Sequence, residues 1–190
     1  MRVEDTADSI YEGLRALGWR RYLCAMWIVC RELQAVYEAQ VSDTERSLMA
    51  ATLDAVREAV MGGENTAGIA ERAADLRGLW QVMASERQDE VMPGRWNTWA
   101  VFRDLAGELA GTDPRYEATE RIDLAATDHW REPRSGPIYD DPDEEVDDSS
   151  PMARTLSRLV RAVAGVTGMA ELGMREAGWD PVSVRVRLFG

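Results

Sequence analysis

From Asp5 to Trp130 the apolar residues of this chain return every three or four positions, and where the rhythm stops a glycine, a proline or a capping residue stands. That spacing lays one apolar stripe along each helix and rules out a sheet-based core. Asp5 to Leu17 reads as a short amphipathic helix ended by Gly18. Trp19 to Gln40 follows, with Leu23, Met26, Trp27, Cys30, Leu33 and Tyr37 on one broad face that Tyr22, Val29 and Val36 widen, so this helix is expected to be central. Ser42-Asp43-Thr44-Glu45 then sets a hydroxyl at a cap and a carboxylate three residues on, a capping box for a helix carrying Met49, Leu53, Val56 and Val60 to Gly62-Gly63.

Asn65 or Thr66 can cap a fourth helix, with Ile69, Ala73, Leu76, Trp80 and Met83 inward. Pro93-Gly94 breaks the pattern before a fifth, which carries Trp99, Phe102, Leu105 and Leu109 to Gly111. Asp113-Pro114 reads as an N-cap with proline in the first turn, predicting a sixth helix to about Trp130. Ser150-Pro151 opens the last helix, which ends at Gly178 with Leu156, Val160, Val163, Val166 or Thr167, Ala170 and Met174 inward. Its Ala164, Gly165 and Gly168 make a small-residue face. The tail from Val182 to Leu188 alternates strictly and reads as a strand needing an edge to pair with, from Met1 to Val3, a second copy or a partner. The fold class expected is therefore all-α: one bundle of six or seven helices with a short C-terminal strand.

A chain of 190 residues with 45% hydrophobic content buries a sizeable core without staples, and a second full domain would be a tight fit, so residues 1–190 read as one domain. Cys24 and Cys30 lie six apart on one apolar helix, too far along it for ready bridging, and read as reduced core residues. The acidic N-terminus lacks the pattern of a secretory signal, which places the protein in the cytoplasm, and the apolar run from Tyr22 to Cys30 is too short to span a bilayer.

Charge is concentrated late in the chain. The formal net charge is −12, and the Pro-rich stretch 132–150 holds Asp140, Asp141, Asp143, Glu144, Glu145, Asp147 and Asp148 beside Tyr139. Such a segment is too charged and too poor in apolar residues to offset its ordering entropy, and a flexible loop is expected there. The overall acidity argues against nucleic acid or an anionic membrane as a direct partner and for a basic protein. Carboxylates at alternate positions invite calcium, but the run lacks the glycine and terminal glutamate of an EF-hand loop, so no metal is assigned.

The basic residues exclude much chemistry. All 22 are arginine, and His129 is the one imidazole. No lysine can form a Schiff base or hold a P-loop phosphate, and no site needing two histidines can be built. Two readings of the lysine gap stand: the codon usage of a GC-rich genome, or selection against a reactive amine. His129 sits between Asp128 and Trp130 where a cation suits a helix C-terminus. Glu117, Glu120 and Asp123 share a face that reads as solvated, because a di-iron bundle needs two Glu-x-x-His motifs. No glycine-rich phosphate loop, nucleophile elbow or Cys-x-x-Cys pair is present, so no catalytic residue and no cofactor is assigned.

Of the seven tryptophans, Trp27 and Trp80 lie on core stripes. Trp96 and Trp99, beside Arg95 at a helix start, are core residues or the lining of a pocket in which Arg31 and Glu32 serve as buried polar contacts. Leu14 and Trp19, then Cys30-Arg31-Glu32 and Tyr37, then Arg175-Glu176-Ala177-Gly178 follow an order that resembles a family of small helical bacterial proteins, domain of unknown function 416. The likeness covers about half of the chain and departs at Arg31, where that family has an acidic residue, and at Val36, where it has proline. That family has no assigned activity, so the likeness implies a helical fold and adds little on function.

Two functional expectations follow. The first is a non-enzymatic binding protein, in its most concrete form an immunity or regulatory protein for a basic bacterial partner, engaged through Tyr139 and the carboxylates from Asp140 to Asp148. The second is a helical small-molecule-binding protein or enzyme with a pocket among Arg31, Glu32, Arg95, Trp96 and Trp99. A homodimer through the C-terminal strand is an open alternative for assembly.

Overall fold

The computed structural model describes residues 11–37, 41–61, 66–87 and 93–122. They form α1 (described over residues 11–16), α2 (Trp19–Tyr37), α3 (Asp43–Met61), α4 (Thr66–Arg87), α5 (Pro93–Ala110) and a 3-10 helix (Glu117–Arg121). Every regular element among the described residues is helical, as the periodicity predicts. The expectations that concern Asp123, His129, the acidic segment 132–150, the helix from Ser150 to Gly178 and the strand from Val182 to Leu188 lie outside the described residues. So does the pocket reading's rival, the partner-binding set Tyr139, Asp140, Asp141, Asp143, Glu144, Glu145, Asp147 and Asp148. No helix among the described residues is long and apolar enough to cross a membrane.

Two glycines make the joints. Gly18, at φ 71°, separates α1 from α2, and Gly111, at φ 73°, ends α5, both in the left-handed region that a side chain disfavours. The Gly18 carbonyl accepts the Tyr22 N–H at 2.9 Å and so starts α2. The break expected at Pro93-Gly94 falls between α4 and α5, and Pro93 itself opens α5 from its first turn, where the missing N–H has no intrahelical partner to lose.

The core is built where the stripes meet. On α2 every residue from Tyr22 to Cys30 is buried, so its middle is covered on all sides, in keeping with the central place expected of it. α5 packs against α2, α3, α4 and the 3-10 helix, burying Trp99, Phe102 and Leu105. Met49, Leu53, Val56 and Val60 of α3 and Ala73, Leu76 and Trp80 of α4 are buried as their spacing predicts, while Ile69 and Met83 are half-buried at the ends of the α4 stripe. Trp80 donates its indole N–H to Thr52 Oγ1 at 3.1 Å, and Thr52 in turn donates to the Leu48 carbonyl at 2.9 Å, so the polar edge of this buried tryptophan is satisfied. Leu79 and Val82 on the far side of α4 are 56% and 53% exposed.

The sixth helix begins otherwise than Asp113-Pro114 suggests. Asp113 spends its carboxylate on Arg77 of α4, whose Nε and Nη2 donate to Oδ2 and Oδ1 at 2.9 and 2.8 Å, so it cannot cap the residues that follow. Tyr116 then takes φ 74°, and helical geometry resumes at Glu117 as a 3-10 turn. The Gly107 carbonyl receives the N–H groups of Thr112 and Asp113 at 3.0 and 3.2 Å, holding this corner against α5.

Gly78 lies within α4 with open space around the position a Cβ would take. A glycine inside a helix costs roughly 0.5–1 kcal/mol relative to alanine. Gly78→Ala is therefore expected to stabilise by that amount, seen as a higher urea midpoint with an unchanged m-value; a loss of stability would mean that this face of α4 is closely covered.

Candidate functional site

Three carboxylates, Glu45, Asp104 and Glu108, are buried in the described core, and the first and last are treated in opposite ways. The first, Glu45, is fully buried. It completes the capping box: its own N–H donates to Ser42 Oγ at 3.3 Å, while its Oε2 accepts the Ser42 N–H at 2.7 Å and the Ser42 hydroxyl at 2.6 Å. Position 45 also lies three residues before Leu48 and four before Met49, on the buried side of α3. That places it against the first turn of α5. There Arg95 donates from Nε to Oε1 at 2.9 Å and from Nη2 to both oxygens, and the Trp99 indole N–H donates to Oε1 at 3.1 Å. Arg87, the last residue of α4, brings Nη1 to 3.8 Å.

Burial alone would raise the Glu45 carboxyl, but the hydrogen bonds from Arg95 and Ser42 and the Arg95 charge together hold it below the ordinary carboxylate value. The Arg95 guanidinium also lies over the Trp99 ring at 5.2 Å, and Trp96 meets Trp99 at 6.4 Å between ring centres. The structure gathers Arg95, Trp96 and Trp99 at the start of α5, with the donors of Arg95 and Trp99 turned to Glu45. Arg31, expected to be buried, is exposed and sits 5.9 Å over the Trp27 ring; Glu32 is half-buried. The reason is angular. The α2 face that includes Cys30 and Leu33 turns inward, and position 31 falls beside it.

The last of the three, Glu108, is 4% exposed near the end of α5. Its Oε1 accepts the Tyr22 phenol at 2.9 Å and the Ala118 N–H at 2.7 Å. Oε2 is buried and has no hydrogen-bond partner among the described residues. Tyr22 stacks on Trp19 at 5.5 Å and meets Tyr116 edge-on at 4.6 Å, with the Arg115 guanidinium 4.7 Å over Trp19 at the outer rim. Here no cation offsets burial. Desolvation pushes the Glu108 carboxyl up to about 7 against the pull of the Ala118 and Tyr22 hydrogen bonds.

Neither cysteine is a nucleophile in this setting. Burial pushes the Cys24 thiol up to about 12 and raises Cys30 further, with Glu108 adding to the latter, so both stay protonated near neutrality. Both are unpaired and buried, as expected of reduced core residues. Among the described residues no group of three or more His, Cys, Asp or Glu side chains is arranged to hold a metal ion.

Glu108, Tyr22, Tyr116 and the Arg77–Asp113 pair escape the sequence reading. One signal was present for Glu108: it lies three residues after Leu105 and seven after Val101, on the inward stripe of α5. The chain was compared with family models, with curated proteins and with solved structures, and nothing matched.

Proposed function

We propose that this protein is a non-enzymatic binding protein that engages a basic protein through its acidic segment, in its most concrete form as an immunity or regulatory factor for a bacterial partner. The observation that carries the reading is the density of charge: seven carboxylates between Asp140 and Asp148 next to Tyr139, in a chain of net charge −12. A field of that sign speeds encounter with a cationic surface and disfavours anionic ones, while Tyr139 supplies an aromatic anchor of the kind that carries binding energy.

The interior supports the same reading by what its polar groups are used for. Arg95 and Trp99, candidates for a ligand pocket, direct their donors to Glu45 and so join helices. The two thiols are protonated core residues. A small-molecule pocket among Arg31, Glu32, Arg95, Trp96 and Trp99 is the weaker reading, since Arg31 faces solvent beside Trp27. The likeness to domain of unknown function 416 adds a helical fold and leaves activity open. Assembly through the strand from Val182 to Leu188 is a separate proposal, tested by whether its deletion changes the mass in solution.

The test compares two full-length chains as bait in lysate of the native host: the natural one, and one with the acids from Asp140 to Asp148 replaced by Asn and Gln. A basic protein retained by the first and lost by the second is expected. Its affinity for the purified chain should then fall at least tenfold between 50 and 300 mM salt, as contacts between exposed charges are screened. Equal retention by both baits, or affinity indifferent to salt, removes the acidic segment as the docking element.

A further inference from the structure

Glu108 stands where three segments cross. The Tyr22 phenol reaches it from α2, the Ala118 N–H from the 3-10 helix, and the Tyr116 backbone from the turn between that helix and α5. Every one of these donors is neutral. The titratable groups coupled to it include Tyr22 and Cys30 on α2 and Asp104 one helical turn back on α5, none of which is a cation. The neighbouring arginines are engaged elsewhere: Arg103 on Asp104, Arg77 on Asp113 and Arg115 over Trp19, while Arg121 of the 3-10 helix acts on Asp104. An ionised Glu108 would thus be a buried charge with two neutral hydrogen bonds on one oxygen and none among the described residues on the other.

We infer that Glu108 is a proton-controlled latch: neutral, it holds the 3-10 helix Glu117–Arg121 shut against α2 and α5, and ionised, it favours an opened segment in which water reaches the carboxylate. The geometry supplies the reason. A buried carboxylate without a counter-charge is stabilised most by hydration, and the element that can yield is the shortest one touching it, a single 3-10 turn preceded by Tyr116 in a left-handed conformation. The core helices α2 and α5 are fixed by their own packing, so the motion falls on the turn.

The sign follows from linkage. The folded carboxyl sits at about 7, above its ordinary 4.5. The closed state is therefore favoured fully below 4.5 and progressively less as pH rises through 7. Between pH 6 and pH 8 the opening equilibrium should grow by about tenfold and then level off.

The experiment is amide hydrogen exchange on the full-length protein from pH 5 to 9, following Ala118 and Thr119 against amides in the middle of α5 and correcting for base catalysis. The expected result is an excess rise of about tenfold at Ala118 and Thr119 between pH 6 and 8 in the natural chain, and none in Glu108→Gln. A flat corrected profile in the natural chain, or the same rise in Glu108→Gln, overturns the latch. Carbon-13 titration of the Glu108 carboxyl in the natural chain guards against a variant that fails to fold: a midpoint near 7 supports the latch, and one below 5 overturns it.

Discussion

Replacing Glu45 by alanine is expected to cost about 3–5 kcal/mol, the range for removing one partner of a buried ion pair. Three losses coincide at this residue. Arg95, which is only 19% exposed, keeps its charge and loses both acceptor oxygens; the Trp99 indole N–H loses its partner; and the first turn of α3 loses half of its capping box. A domain stable by about 5–15 kcal/mol has little to spare against such a loss, so urea unfolding followed by helical circular dichroism should show a midpoint shifted far to the left. The companion variants separate charge from packing. Glu45→Met with Arg95→Met removes both charges and should recover the part of the loss due to the unpaired Arg95, because a buried pair exchanged for apolar residues of similar volume is often neutral, while the Trp99 and capping losses remain. Lowering pH acts on the same bond: the Glu45 carboxyl is held below its ordinary 4.5, so its contribution is present above that value and disappears as pH falls through the lower, folded one. A loss under 1 kcal/mol for Glu45→Ala would show that the three helix ends do not depend on it.

The second effect is expected at Gly107, where helix propensity and packing point in opposite directions. Alanine at an interior helix position ordinarily gains roughly 0.5–1 kcal/mol over glycine, and Gly78 is such a position. A Cβ at Gly107 would instead collide with the Asp113 carboxylate and come within 2.8 Å of Arg77 Nε. Both atoms belong to the bidentate pair that pins the corner after α5 to α4, and the corner also hangs on the Gly107 carbonyl through Thr112 and Asp113. Gly107→Ala is expected to destabilise by about 1 kcal/mol, at the low end for overpacking a close contact, because the Asp113 and Arg77 side chains can swing away at the loss of their pair. Asp113→Ala alone should cost about 1 kcal/mol or less, given that Arg77 remains partly solvated. The diagnostic is their combination: with Asp113 truncated the obstacle is gone, so the double variant should be more stable than the sum of the two losses predicts. Simple additivity would place the strain somewhere other than this contact.

These two residues also mark the limit of what the sequence discloses. Helix bodies are legible because their causes are local: the capping box at Ser42 to Glu45 and the end of α5 at Gly111 stand where sequence logic puts them. The apolar spacing of Met49, Leu53, Val56 and Val60 is enough to bury all four. Asp113-Pro114 misleads for the converse reason, since what prevents the cap is Arg77, thirty-six residues earlier. Glu45 could be seen as a cap but not as a hub, because Arg95 and Trp99 reach it across 50 and 54 residues. Glu108 is similar. Its place on an apolar stripe announces a buried acid, yet only the folded chain shows that Tyr22, from 86 residues away, and a backbone amide are what meet it. The aromatic and arginine cluster at 95, 96 and 99 was legible as a cluster, and its use was not.

Helix ends are ordinarily where a bundle frays first, each loosening on its own because its last backbone groups have no partners in the helix. The Glu45 carboxylate ties together the start of α3, the start of α5 and the end of α4. Fraying there is no longer a private matter of one helix: whichever end lets go first takes a shared acceptor from the others. The termini should therefore loosen as one cooperative unit, and protection from exchange in these first and last turns should track that of the helix centres more closely than end position alone would give.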